Sequence, residues 1–152
     1  MALEKLIGLL ENRVSQSFEG LKVISNFMPG ASQSMIDGIV SKLSVNLPYD
    51  YTKFLQICNG CDILMYENLD GFKFFGTEDL YKENKNMKDI FESDWDNNVI
   101  LFCKCIGEGN YIGFRILSDE SYQLLDCFNE YLPTEWDVIN ESLFSFIDKL
   151  ID

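Results

Sequence analysis

Apolar and polar positions along the chain fall into helical stripes near both ends, with alternating or continuous apolar runs between them. Leu3, Leu6, Ile7, Leu10 and Val14 share a face that Glu4, Lys5, Glu11 and Asn12 avoid, which predicts an amphipathic helix. Phe18, Leu21, Ile24 and Phe27 or Met28 continue at similar spacing and predict a second, short helix broken between Asn26 and Pro29. Ser32 is a good N-cap for a third stripe of Met35, Ile36, Ile39, Val40 and Leu43. Pro48 then stops that helix and opens the next, because its missing N–H is unpaired in a first turn anyway. Tyr51, Phe54, Leu55 and Cys58 follow at i, i+3, i+4 and i+7. Asp50 sits against the positive end of the helix dipole, and Asn59-Gly60 predicts a left-handed stop.

Strands dominate the next stretch. Ile63 to Tyr66 reads as buried, and Phe72-Lys73-Phe74 alternates after a polar loop that ends in Asp70-Gly71. Thr77, with Glu78 and Asp79 behind it, predicts the start of a helix whose stripe is Leu80, Tyr81, Asn84, Met87, Ile90 and Phe91. Val99 to Ile106 is apolar except for Lys104 and predicts a central strand covered on both faces. Short turns at 107–110 and 118–121 link it to Tyr111–Leu117 and Tyr122–Phe128, an antiparallel meander. A last helix places Leu143, Ile147 and Leu150 on one face, with Phe144 and Ile151 beside it. The pattern predicts an α+β fold in which helices at both ends pack on a mainly antiparallel sheet.

At 152 residues, 47% of them apolar, the chain is expected to form one domain over 1–152, with 1–30 as a helical N-terminal extension packed on it. Its first residues lack the basic start and continuous apolar run of a signal peptide, so a cytoplasmic location is expected.

Charge changes the picture more. Residues 1–47 hold four basic and four acidic side chains, whereas 48–152 hold eight basic and twenty-one acidic, so the whole net charge of −13 lies there. Such a field repels nucleic acid and anionic membranes and attracts basic partners, although solubility alone also accounts for acidic surfaces. Histidine is absent, which excludes Ser-His and Cys-His nucleophiles and imidazole metal sites.

Cys58-Asn59-Gly60-Cys61 and Cys103-Lys104-Cys105 supply four sulfurs that zinc could use in principle. The C-x-C spacing lacks a zinc knuckle, and Cys58 lies on an apolar stripe, so buried thiols are the default and neither metal nor cofactor is expected. Gly107-x-Gly109 lacks the remaining parts of a phosphate loop and predicts a hairpin turn.

The candidate partner-binding residues are Glu67, Asp70, Glu78, Asp79, Glu92, Asp94, Asp96, Glu108, Glu135 and Asp137, with Trp95 and Trp136 among them. Taken singly, each acid reads first as a solvated surface group. As a group they form an acidic face in which an exposed tryptophan would be a binding hot spot and a buried one would be core. A carboxylate pair serving as hydrolase acid and base has little support, because these acids lie in predicted loops and first helical turns.

The wording Leu47-Pro48-x-Asp50-Tyr51-x-x-Phe54-Leu55-x-x-x-Asn59-Gly60 resembles the signature of the SUKH superfamily, the Smi/Knr-type proteins. Gly30-Ala31-Ser32, Phe74-Phe75-Gly76, the hairpin at Ile106-Gly107-Glu108-Gly109 and the closing stretch Ser142–Ile147 extend the resemblance over about residues 30–151. It implies a twisted sheet with flanking helices. Many bacterial members are immunity proteins that neutralise secreted toxins by binding them. The expected function is therefore a non-enzymatic immunity protein whose acidic surface occludes a toxin, a basic nuclease suiting the charge best. The alternative is a regulatory or scaffolding interaction module, which other members of the superfamily resemble.

Overall fold

The computed structural model describes residues 23–25, 28–66, 70–118, 121–128 and 130–151. Among them seven strands form a single sheet in chain order, each antiparallel to the next. They are β1 (Val23–Ser25), β2 (Cys61–Tyr66), β3 (Asp70–Phe74), β4 (Val99–Ile106), β5 (Tyr111–Ser118), β6 (Ser121–Cys127) and β7 (Asp137–Ile139). The helices among these residues are α1 (Gln33–Leu43), α2 (Tyr49–Ile57), α3 (Thr77–Phe91) and α4 (Leu143–Ile151). The protein is α+β, as its hydrophobic pattern predicts.

Helices cover both faces of the sheet. On β5, Tyr111 and Phe114 are an odd number of residues apart and so point to opposite sides. The Phe114 ring lies 5.7 Å from Tyr51 of α2, while the Tyr111 hydroxyl donates to Glu83 of α3 at 3.2 Å. Phe146 of α4 meets Phe72 at 6.0 Å, on the same side as α2. This double cover explains why β4 reads as an almost unbroken apolar run, since six of its eight residues are buried.

Tyr122 fastens the two helices of the α2 face. Its hydroxyl donates to Asp50 at 2.5 Å and accepts the Leu143 N–H at 3.0 Å. Partial burial and the Asp50 bond push its pKa up to about 12, and burial beside Glu83 does the same for Tyr111. In the unfolded chain both phenols ionise near 10. Their contribution should therefore be intact below pH 10 and lost as the pH climbs from there toward about 12. Urea midpoints taken on either side of that window should fall across it, and a flat profile would contradict the two hydrogen bonds.

Several boundaries differ from the sequence pattern. Ile24 lies in β1 and not in a short helix, because the free edge of β2 pairs with this segment, Ile24 opposite Ile63. The predicted N-terminal helix falls outside the described residues. Pro48 is the cap of α2 and not its first helical residue. At its other end α2 stops through Cys58 in an extended conformation, with Gly60 alone at positive φ (96°). Thr77 is likewise the first residue of α3 and not its cap, which is Gly76. Tyr81 and Ile90, expected on the buried stripe of α3, are exposed. Strand β7 carries no strong sequence signal and is a correction to the expected run into the last helix.

Candidate functional site

The segments that carry the sequence signature meet at one junction. The Ala31 N–H donates to the Leu55 carbonyl at 2.7 Å, and Asn59 N–H reaches the Met28 and Pro29 carbonyls, so residues 28–31 close the C-terminal end of α2. A Cβ on Gly30 would stand 1.9 Å from the Gln56 carbonyl oxygen. Only glycine allows that approach. On the other side, Asn59 Oδ1 accepts the Thr77 N–H at 2.8 Å and caps α3 from a distance. Gly76 packs so closely on Asn59 that a Cβ there would meet its carbonyl oxygen at 2.3 Å. Asn59-Gly60 and Phe75-Gly76, read separately in the sequence, are two halves of one contact. The junction is architectural, and it fixes where α3 begins.

Helix α3 then carries the chain to the acidic loop. Glu92 turns the chain at φ 54°, and Glu92–Asp94 make a single tight turn. Trp95 follows, half-buried, 6.0 Å from Phe91 and 6.1 Å from Trp136. Trp136 itself is 4% exposed, stands 5.7 Å from Phe91, and donates its Nε1–H to the Phe128 carbonyl at 2.8 Å. It is a core residue whose indole fastens the β6–β7 connection, and not an exposed anchor. The three rings bring the turn at Glu92–Asp94 next to the turn at Pro133–Glu135, while Asp137, paired with Asp126, points to the α2 side of the sheet.

These acids differ. Glu92, Asp94 and Asp137 are exposed and have no ion pair among the described residues. Asp96 is part-buried; it accepts the Asn98 N–H at 2.9 Å and pairs with Arg115 at 3.3 Å. Arg115 also donates to the Pro133 carbonyl at 3.0 Å. Asp96 thus anchors its loop to β5. Exposed Glu135 accepts the Leu132 N–H at 3.0 Å. Glu108, at the β4–β5 turn, lines a cavity together with Asp137.

Glu78 and Asp79 stand apart, at the far end of α3, a helix roughly 22 Å long. Asp79 lies 3.9 Å from Lys73. Glu67 and the side chain of Asp70 lie outside the description. The rings therefore bring Glu92, Asp94, Trp95 and Asp96 near Glu135 and Trp136, whereas Asp137 shares a cavity with Glu108 and lies on the other side of the sheet, and Glu78 and Asp79 stand at the far end of α3.

All five cysteines are buried and none is in a disulfide. Burial pushes the Cys103 and Cys127 thiols well up, and the hydrogen bond to Cys58 together with burial does so for Cys61. These three are protonated packing groups, while the hydrogen bond with Cys61 draws the Cys58 thiol down from its ordinary value. Among the described residues no group of three or more Cys, Asp or Glu is arranged to hold a metal ion, and no helix is long and apolar enough to cross a membrane.

The model of the SMI1 / KNR4 family (SUKH-1) matches residues 30–149. The chain belongs to this family. No curated protein matches it. The SUKH-1 match opens at Gly30, the glycine that lets residues 28–31 close α2, and runs into α4. Residues 1–29, including β1, precede it. Reasoning from sequence alone missed Arg115, which ties Asp96 and the Pro133 carbonyl. Arg115, the single arginine in the acidic part of this SUKH-1 chain, is the one signal that could have pointed to a tied carboxylate.

Proposed function

We propose that this SUKH-1 protein is a non-enzymatic bacterial immunity protein that acts in the cytoplasm by binding a basic secreted toxin, a nuclease above all. The observation that carries the reading is the surface around Trp95. There Glu92 and Asp94 are exposed and have no ion pair among the described residues, on a rigid aromatic base and on the part of the chain that holds the whole −13. Unpaired acids on a fixed support present an attractive field while losing little freedom on binding. They would compete with phosphate for the Lys and Arg residues with which a nuclease holds its substrate. Residues 1–30 serve as an extension to the family domain.

Reversing Glu92 and Asp94 to Lys should slow association with a basic toxin and flatten its salt dependence. The expected loss is about tenfold in association rate at low ionic strength. Asp37→Lys on α1 makes an equal charge change per residue in the neutral part of the chain and should leave the rate nearly unchanged. Stopped-flow association of the three proteins checks this. Equal rates and equal salt slopes would contradict the reading and favour a regulatory or scaffolding module. Asp96 is unsuitable for reversal, because a lysine there would face Arg115.

A further inference from the structure

Helices α1 and α3 pack against each other, and two cavities lie along the groove between them. The first, about 320 Å³, is lined by Met35, Gly38 and Ile39 of α1 and by Glu78 and Tyr81 of α3. The second, about 470 Å³, begins at Lys42 and Tyr81, which line both, and runs past Lys85 and Lys88 to Trp95. Proteins use cavities of this size as binding clefts. Met35 and Tyr81 stand on the stripes that predict the buried faces of their helices, yet they are 45% and 36% exposed. Each helix is thus apolar over a wider arc than the fold covers, and the uncovered strips meet in one groove.

Gly38 carries a second, independent observation. It lies in the interior of α1, where glycine weakens a helix relative to alanine. Its φ is not positive, and a Cβ built there would meet nothing within 4 Å. Neither the backbone nor packing among the described residues requires glycine at this place. Its bare backbone forms part of the groove wall, the arrangement by which a chain lets another molecule approach closely. The second cavity adds a sign of charge. Asp89 is the one carboxylate among its described lining residues and pairs with Lys85 at 3.0 Å, whereas Lys42 and Lys88 have no ion pair among the described residues. The Lys42 Nζ stands 5.2 Å from the centre of the Tyr81 ring. In a chain of net charge −13, this end of the groove is a local reversal of the field.

We propose that the α1–α3 groove docks a short amphipathic helix of a protein partner, with carboxylates in the first turn of that helix. Its apolar stripe lies against Met35, Ile39 and Tyr81, its backbone closes on Gly38, and its carboxylates meet Lys42 and Lys88. From Glu78 to Lys88, α3 rises roughly 15 Å, which gives such a helix about three turns of contact. The partner helix runs antiparallel to α1 and α3, because Lys42 and Lys88 stand near their C-terminal ends while Glu78 closes the other end of the groove. Carboxylates in its first turn also suit its own dipole. This docking goes beyond the binding of a basic toxin and depends on no part of it, since the groove prefers the opposite charge.

The probe is a synthetic helical peptide of about fourteen residues, with leucines at i, i+3, i+4 and i+7 and glutamates in its first turn. A second peptide carries lysines in place of the glutamates. The net charge of the chain favours the lysine peptide and the groove favours the glutamate one, so the two differ in sign. Titrated into the full chain at physiological ionic strength, the glutamate peptide should bind about tenfold more tightly. NMR shifts should centre on the Gly38 amide and the Trp95 indole. Gly38→Leu should abolish this binding while its thermal melt stays at or above wild type, because the added side chain meets open space and suits a helix better. Lys42→Glu combined with Lys88→Glu should remove the preference for glutamate. Equal or tighter binding of the lysine peptide, no binding of the glutamate peptide, shifts centred elsewhere, or unchanged binding by Gly38→Leu would overturn the docking. So would a dimer of the chain that Gly38→Leu dissociates, since a second copy would then be the occupant. None of these outcomes bears on the acidic surface, which association with a basic toxin tests separately.

Discussion

Phe54→Ala should destabilise the fold by about 3–5 kcal/mol, the usual cost of removing a buried phenyl group. Phe54 is fully buried on α2, 5.1 Å from the Tyr51 ring and 5.5 Å from Phe74 of β3. Tyr51 in turn lies 5.3 Å from Phe102 and donates its hydroxyl to the Phe75 carbonyl at 2.5 Å. Removing the Phe54 ring would open a hole in the layer through which α2 holds β3 and β4, where rigid aromatic neighbours cannot close in. Gln56, two residues on, is exposed and its replacement by Ala should stay within about 0.5 kcal/mol of neutral. Coincident urea midpoints for the two variants would contradict this assignment of the buried face.

Asn84→Leu should be nearly as damaging, through polarity and not through volume. Strand β3 pairs with β4 only as far as Phe74 opposite Cys103, after which the chain leaves the sheet to form α3. Asn84 of α3 replaces the missing strand. Its Oδ1 accepts the Leu101 N–H at 2.7 Å, and its Nδ2 donates to the Leu101 carbonyl at 2.9 Å and to the Leu80 carbonyl at 2.7 Å. Leucine would fill the space and leave both main-chain groups of Leu101 buried without partners, at about 1–3 kcal/mol each. Hydrogen exchange separates this from general loosening. The Leu101 amide should lose protection by far more than Phe114, at the centre of the same sheet. Equal losses would contradict the account.

These two residues also show what the sequence could and could not reveal. Phe54 was legible, because helical spacing alone places it on the apolar stripe of α2. Asn84 looked like one more stripe position, and nothing local indicates that its amide substitutes for a strand. The long elements β4, β5, β6 and α3 were legible because each buries enough apolar surface to impress its period on the chain. Strands β1 and β7 have three residues each, too few to show a period, and exist because a neighbouring edge accepts them. Asn59 was legible as a helix stop, but its capping of α3 was not, since that bond joins segments 18 residues apart.

The candidate surface was legible in part for the same reason. Charge bias singled out Glu92, Asp94 and Asp96 among other acids, but acids that a partner could meet and acids already held by the fold look identical in a sequence. Arg115 ties Asp96, while Asp94 has no ion pair among the described residues. Trp136 stands among polar neighbours in the sequence, between Glu135 and Asp137, yet it is buried in three dimensions.

The most direct test of the central claim is capture, by the purified full chain, of the protein encoded by the neighbouring gene, followed by its association rate across a range of ionic strength. The account predicts a basic protein that is toxic when expressed alone and harmless when bound. Its association should slow steeply as salt rises. A neutral or acidic partner, or an association rate indifferent to salt, would contradict it.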